Sequence, residues 1–384
     1  MKIMVSAGEV SGDVHASYLI KELSRLLPGA YFFGMGADRL REVGVDVRLD
    51  ISRRGTIGIF EALPNLFPIY FSYRKLVSLL EQERPDALIL VDSQGINVPL
   101  AKAARKRGIK TIYYIAPQEW LWGTPAGVKN ISSTLDLIIA IFEKEYLSYR
   151  SAGANVFYFG HPLIDIAKPS LSLSDSLNKY IGKNDPTPYP IISICPGSRK
   201  QEVLGLFPIF LASINIIKRS FPSARFFIPA STDYFYNYFL DFVKSHDISV
   251  FSGGTYDLLS ISDLAICASG TINLEASLLS VPNLMVYRLS RLSYFIGKNI
   301  LKIDRKLSYF SMPNILLDKM VVPELIMDNA NPSSIAKEAI SILSDRSRIV
   351  KIKTAFSLLR SQLGAPGVIL KAATCIRDFI LSYS

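Results

Sequence analysis

In the first half of the chain, short apolar runs alternate with longer stretches whose apolar residues recur every three or four positions. The runs at 2–7, 31–34, 87–91, 111–115, 137–141 and 155–159 predict strands, and the periodic stretches at 14–27, 66–83, 98–106 and 143–151 predict helices between them. Strand and helix in turn is the pattern of βαβ units and a parallel sheet. The alternation fails between Asp165 and Pro190, where Ser, Asn, Asp and Pro replace the long apolar runs. It restarts with strands at 191–195, 225–229, 264–267 and 283–287, and from Asn331 onward the spacing is helical. The pattern predicts an α/β protein with two doubly wound parallel-sheet domains facing a cleft. The first covers 1–165, a linker 166–190, the second 191–345, and C-terminal helices at 346–384 are free to pack back on the first domain.

A length of 384 residues exceeds what one core usually fills, and 49% hydrophobic with 20% charged residues excludes a largely disordered chain. Three cysteines, Cys195, Cys267 and Cys375, have no metal-ligand spacing and suit a reduced compartment. The N-terminal MKIMVSAGEVSGD runs straight into glycines and acids, so it reads as a first strand rather than a secretory signal. The expected location is therefore cytoplasmic. No window supplies the run of about eighteen apolar residues that a spanning helix takes. The most lipophilic one, 56–73, contains Glu61, Pro64 and Pro68. The net charge of +10 is partly concentrated: Arg288, Arg291, Lys298, Lys302, Arg305 and Lys306 stand against Asp304 alone, with aromatics interleaved. These two segments are expected to touch an anionic membrane surface.

Ligands of open parallel sheets bind beyond the carboxyl ends of the strands, so chemistry is sought there. After the first strand comes Gly8-Glu9-Val10-Ser11-Gly12-Asp13, whose glycines let backbone N–H groups approach a phosphate or sugar hydroxyl. The bland alternative is a strand-to-helix turn capped by Ser11 or Asp13. In the second half, Gly197-Ser198-Arg199 and Ser269-Gly270-Thr271 repeat the arrangement. Arg199 can grip a diphosphate with its planar fork. Glu275, one turn below Thr271, can accept from two ribose hydroxyls, unless it is merely solvated or salt-bridged. Asp92 follows the strand at 87–91, where a carboxylate can take a proton from an attacking hydroxyl or can simply cap a helix. His161 falls where the chain leaves the first domain. No HExxH, GxSxG, P-loop or GxGxxG spacing occurs, so no metal and no cofactor are expected.

Together these segments resemble the lipid-A-disaccharide synthases, which have the GT-B fold of two Rossmann-like domains. AGEVSGD resembles that family's AGExSGD loop. Gly58-Ile59 with Glu61-Ala62-Leu63 resembles its MGIxEVL, and Tyr114-Ile115-Ala116-Pro117 with Trp120 and Trp122 its YxSPxxWAW. Phe142-Glu143-Lys144, Gly160-His161-Pro162-Leu163, PGSR with Glu202, SGT with Leu274-Glu275, Tyr287-Arg288, Met312-Pro313-Asn314 and Val322-Pro323-Glu324-Leu325 follow in order. The family's IDAPDFN is replaced by Val91-Asp92-Ser93-Gln94-Gly95-Ile96-Asn97.

The resemblance implies an inverting transfer of 2,3-diacylglucosamine from UDP to 2,3-diacylglucosamine 1-phosphate at a membrane surface, without a metal. It implies Asp92 as general base, with Glu9 the rival, and Gly8, Ser11, Gly12, Asn97 and His161 on the substrate. It also implies Gly197, Ser198, Arg199, Glu202, Ser269, Gly270, Thr271, Glu275, Tyr287 and Asn314 around UDP. Homo-oligomerisation is left open. The competing expectations are another GT-B enzyme acting on UDP-N-acetylglucosamine, and a nucleic-acid binder using the basic stretch; the latter lacks a motif or a basic face.

Overall fold

The computed structural model describes residues 1–50, 66–183, 188–243, 248–288 and 308–382. Gly58, Ile59, Glu61, Ala62 and Leu63, and the basic residues from Arg291 to Lys306, lie outside them. The chain divides into two compact units: Met1–Asp165 with Leu363–Ser384, and Ile166–Gln362.

The first unit carries β1 (Lys2–Ala7), β2 (Tyr31–Gly36), β3 (Asp46–Asp50), β4 (Ala87–Val91), β5 (Lys110–Tyr114), β6 (Leu137–Ala140) and β7 (Val156–Tyr158). They form one sheet in the order β3-β2-β1-β4-β5-β6-β7. Pairing is parallel throughout, with Ala7 of β1 opposite Val91 of β4. β4 is ALILV with every residue buried, as a central parallel strand covered on both faces must be. The Val10–Leu26 helix buries Ala16, Leu19, Ile20 and Leu23 on one side and packs against the Val368–Leu381 helix. That last helix thus belongs to the first unit, whereas the Arg346–Gln362 helix before it belongs to the second.

The second unit carries β8 (Ile191–Cys195), β9 (Arg225–Ala230), β10 (Ile248–Ser252), β11 (Leu264–Ala268), β12 (Asn283–Tyr287) and β13 (Glu324–Ile326), ordered β10-β9-β8-β11-β12-β13. Residues 166–190 lie within this unit and contain a helix, Leu173–Tyr180, capped by the Ser172 side chain. Its Tyr180 ring packs edge-on against Phe251 of β10, 4.9 Å between centroids. Among the described residues the Lys200–Ser220 helix is long and apolar enough to cross a membrane by length and composition, with mean hydropathy 1.4. It buries Val203, Leu206, Phe207, Phe210, Ile214 and Ile217 along one face, which is core-helix behaviour.

Both sheets reverse direction at one place, between β1 and β4 and between β8 and β11. Chains leaving those neighbouring strands turn to opposite faces of the sheet, and a crevice opens beyond their carboxyl ends.

Candidate active site

In the first unit the switch point brings the 8–13 loop against the 92–97 loop. Gly8 is there because nothing larger fits: a Cβ on it would stand 2.6 Å from Ser93 Cβ and Oγ. Gly12 packs over Asp92, with its Cβ position 3.5 Å from Asp92 Cβ. Glu9 and Ser11 are half-buried at the start of the Val10–Leu26 helix. Neither caps it by side chain. Asp13 caps a different helix: its buried carboxylate accepts from Ala37 N at 2.6 Å and Arg39 N at 3.0 Å, at the start of Asp38–Glu42.

The backbone at the ends of β4 and β5 is unusual. Asp92 (φ 52°), Ser93 (φ 51°) and Ile115 (φ 60°) are all left-handed, a conformation that costs a side-chain-bearing residue on the order of 1–3 kcal/mol. The Asp92 turn is held from beneath. Asn97 Nδ2 donates to Asp92 O at 2.7 Å and Tyr113 Oη to the same carbonyl at 2.5 Å.

Two of the expected substrate contacts, Asn97 and His161, are buried. Asn97 is wholly buried, donating to Ser6 O, Val91 O and Asp92 O and accepting from Ser6 Oγ. Its amide joins β1 to β4. His161 is 4% exposed, its Nδ1 accepting from Leu163 N at 3.1 Å, while its backbone N–H donates to Leu363 O at 2.8 Å. Its ring lies 5.0 Å from Phe142, tilted, and burial pushes the imidazole down to about 3, so the ring is neutral, while the backbone N–H fastens the returning chain.

In the second unit the switch point joins 196–202 to 268–275. Cys195 and Cys267 are register partners directly beneath the two loops. Gly197 (φ 108°) and Gly270 (φ 152°) supply backbone that other residues adopt only under strain. A Cβ on Gly270 would meet nothing within 4 Å, so the peptide edge beside it is open to a ligand. Ser198, Arg199, Gly270 and Thr271 are exposed at the starts of the Lys200–Ser220 and Thr271–Leu278 helices, where N–H groups and helix dipoles favour anions. Glu202 holds the Arg199 guanidinium at 3.3 Å.

Glu275 is half-buried; burial pushes its carboxyl up to about 7, against hydrogen bonds from Thr271 and Tyr256 that lower it. Ser269 is half-buried, its N–H donating to Val286 O. Tyr287 is half-buried at the end of β12.

Asn314 lies on the Met312–Leu317 helix. It is fully buried, donating to Val322 O at 2.7 Å and Glu324 Oε1 at 2.8 Å and accepting from Val321 N and Val322 N. That amide ties the 308–323 segment to β13.

Several residues around the site carry no signal in the sequence. Tyr256 reaches Glu275 from another helix. Asn273 and Asn283 bond beneath the Thr271–Leu278 helix at 3.2 Å. Glu119 accepts from Gln94 Nε2 at 2.6 Å. Among the described residues no cluster of His, Cys, Asp or Glu could hold a metal ion. A cavity of about 820 Å³, lined by Met1, Arg84, Asp86, Arg107 and Lys110 among others, opens where β1, β4 and β5 begin, at the end of the sheet away from these loops.

Two doubly wound sheets of the same strand order, each with a glycine loop at its switch point, define an α/β fold of the GT-B type. The sequence profile described as lipid-A-disaccharide synthetase matches residues 3–378. The chain belongs to that family. It is similar to the lipid-A-disaccharide synthase of Geobacter sulfurreducens, 33% identical over 381 residues that cover 99% of this chain and 97% of the relative. The fold is shared with the UDP-GlcNAc 2-epimerase of Neisseria meningitidis at a TM-score of 0.64 and 16% identity, each chain fully covered. MurG of Acinetobacter baumannii shares it at 0.58 and 15% identity, covering 98% of this chain and 99% of that one. The family's activity, and this chain's, is glycosyl transfer in lipid A biosynthesis. Its donor is a UDP-sugar and its acceptor a lipid.

Proposed function

We propose that the second unit holds the UDP of the donor and that Asp92 of the first unit is the general base. The observation that carries the donor assignment is the pairing of two positive-φ glycine loops, the one at Gly270 open to a ligand, with Arg199 and Glu275 at one switch point. Gly197, Ser198, Gly270 and Thr271 offer N–H and hydroxyl groups to the diphosphate, and Arg199 adds charge. Glu275, when ionised, accepts from the ribose hydroxyls.

An inverting transfer is one displacement at the anomeric carbon, so the acceptor hydroxyl loses its proton on the face away from UDP. Asp92 suits that role because its strained turn sets a carboxylate at a strand end beside the 8–13 loop; Glu9 remains the rival. The test incubates the enzyme with UDP-diacylglucosamine and the monosaccharide phosphate and follows the disaccharide phosphate by mass spectrometry, wild type against Asp92→Asn and Glu9→Gln. Asp92→Asn is expected to abolish most product, and UDP-N-acetylglucosamine should not be turned over.

Acylated substrates further support a reading in which the enzyme docks on an anionic bilayer. On the Leu66–Glu83 helix, Tyr70 and Phe71 are 53% and 67% exposed, and Arg74 and Lys75 stand exposed on the next turn, an aromatic and basic face suited to headgroups. Flotation with anionic vesicles should carry the protein upward at low salt and release it at high salt. Flotation indifferent to salt would overturn the electrostatic part of this reading.

A further inference from the structure

We infer that Glu119 is a positioning residue for the transfer: through Gln94 it fixes the left-handed Asp92–Ser93 turn and so aims the Asp92 carboxylate. The inference rests on the reading of Asp92 as general base.

The turn has two sides. Its inner side is secured by buried groups, Asn97 and Tyr113 on the Asp92 carbonyl and the Ile96 and Asn97 N–H groups on the Ser93 carbonyl at 3.2 and 3.0 Å. Its outer side, Gln94 and Gly95, is exposed, and a Cβ on Gly95 would meet nothing within 4 Å. The hold on that side comes from Glu119, whose Oε1 accepts from Gln94 Nε2 at 2.6 Å, a short charge-assisted bond.

Glu119 is itself seated. Its Oε2 accepts from Thr124 N at 3.4 Å and lies 2.2 Å from where a Cβ on Gly127 would stand, so the start of the Pro125–Thr134 helix leaves room for the carboxylate only because Gly127 has no side chain. Glu119 begins the short Glu119–Trp122 helix, four residues after the left-handed Ile115. One hydrogen bond therefore clasps together two strained strand ends, those of β4 and β5. Gln94 also falls in the segment where this chain departs from the family's pattern, so the clasp is a feature of this sequence.

The test is a swap. Glu119→Ala removes the acceptor, and kcat should fall about tenfold, short of the roughly hundredfold that a 1 Å misplacement can cost. KM, UDP affinity and melting temperature should barely move. Glu119→Gln keeps an acceptor oxygen and should restore most of the loss. Gln94→Glu sets two carboxylates against each other and should be impaired. Combining it with Glu119→Gln rebuilds the bond in reverse and should recover turnover. An Ala variant with wild-type kcat would overturn the inference, and so would a double variant no better than Gln94→Glu alone. Asp92→Asn run alongside separates the two readings: if it keeps turnover, the assignment of the base fails, whereas an inactive Asp92→Asn beside an unaffected Glu119→Ala sinks the clasp alone.

Discussion

The two switch points solve the same geometric problem with different residues. In the second unit the sharp turns after β8 and β11 fall on Gly197 and Gly270, which adopt positive φ without steric cost. At the first unit's switch point the turn after β1 has Gly8 and Gly12, but the turn after β4 falls on Asp92 and Ser93, whose positive φ does carry a steric cost. Glycine suits a place where the peptide itself must approach a ligand, because a side chain would stand between them. A strained aspartate suits a place where a particular side chain is needed at the point of turning. The contrast matches a division of labour in which one unit grips phosphate by backbone and the other supplies an acid–base group.

The largest effect expected from breaking this contrast is at Asp92. Replacing it by Asn keeps the shape and removes the proton acceptor, and turnover should fall by about 10²–10⁴ with UDP affinity nearly intact, checked by steady-state kinetics beside calorimetry. On the opposite side, Arg199→Ala should weaken UDP binding by roughly tenfold to a hundredfold, the loss of a charged contact. If calorimetry shows unchanged affinity, the phosphate grip lies elsewhere.

A smaller, pH-dependent effect is expected at Glu275. Its carboxyl titrates at about 7 in the folded protein, so the ionised form that accepts ribose hydroxyls grows in as pH rises through that value. UDP affinity should climb between pH 6 and 8, and Glu275→Gln should flatten the climb.

The smallest effect concerns stability. Burial pushes Glu145 up to about 8, with Ile141 N and Phe142 N donating to one oxygen. Between pH 4.5 and 8 the folded protein holds a proton that the unfolded chain has released, so this residue's contribution to stability declines across that window and levels off above it. His15 and His161, lowered to about 4 and about 3 by burial, act in the other direction. Their contribution is complete above pH 6.5 and is lost as pH falls toward those values. Glu145→Gln should therefore lose less melting temperature than wild type between pH 6.5 and 8, as read by thermal scans.

Central strands were easy to read from the sequence because both their faces are buried, which leaves an uninterrupted apolar run such as ALILV. The three strands that the apolar pattern does not reveal, β3, β10 and β13, all lie at sheet edges, where exposure admits polar residues and pairing is one-sided. The site divides in the same way. Position after a strand is visible in a sequence, and it placed the 8–13, 92–97, 196–202 and 268–275 loops in their pairs. Side-chain direction is not visible. Asn97 and Asn314 stand in the expected segments and point inward, while Glu119 falls on an unspecified position of the 114–122 motif and Tyr256 comes from a segment that carries no local pattern of its own.

One more consequence follows from the first unit being made of two pieces of chain. Asp165 accepts from Gly367 N and Ile369 N, residues 202 and 204 positions further on, and the Val368–Leu381 helix lays Ala372, Ala373 and Ile376 into the interior on that side. Gly160 and Gly364 meet there so closely that a Cβ on Gly364 would stand 3.0 Å from Gly160 Cα. During synthesis the ribosome delivers the body of this unit first and its closing helix only after the whole of the other unit. Until that helix emerges, the apolar side of the Val10–Leu26 helix it will cover is a surface that chaperones can bind.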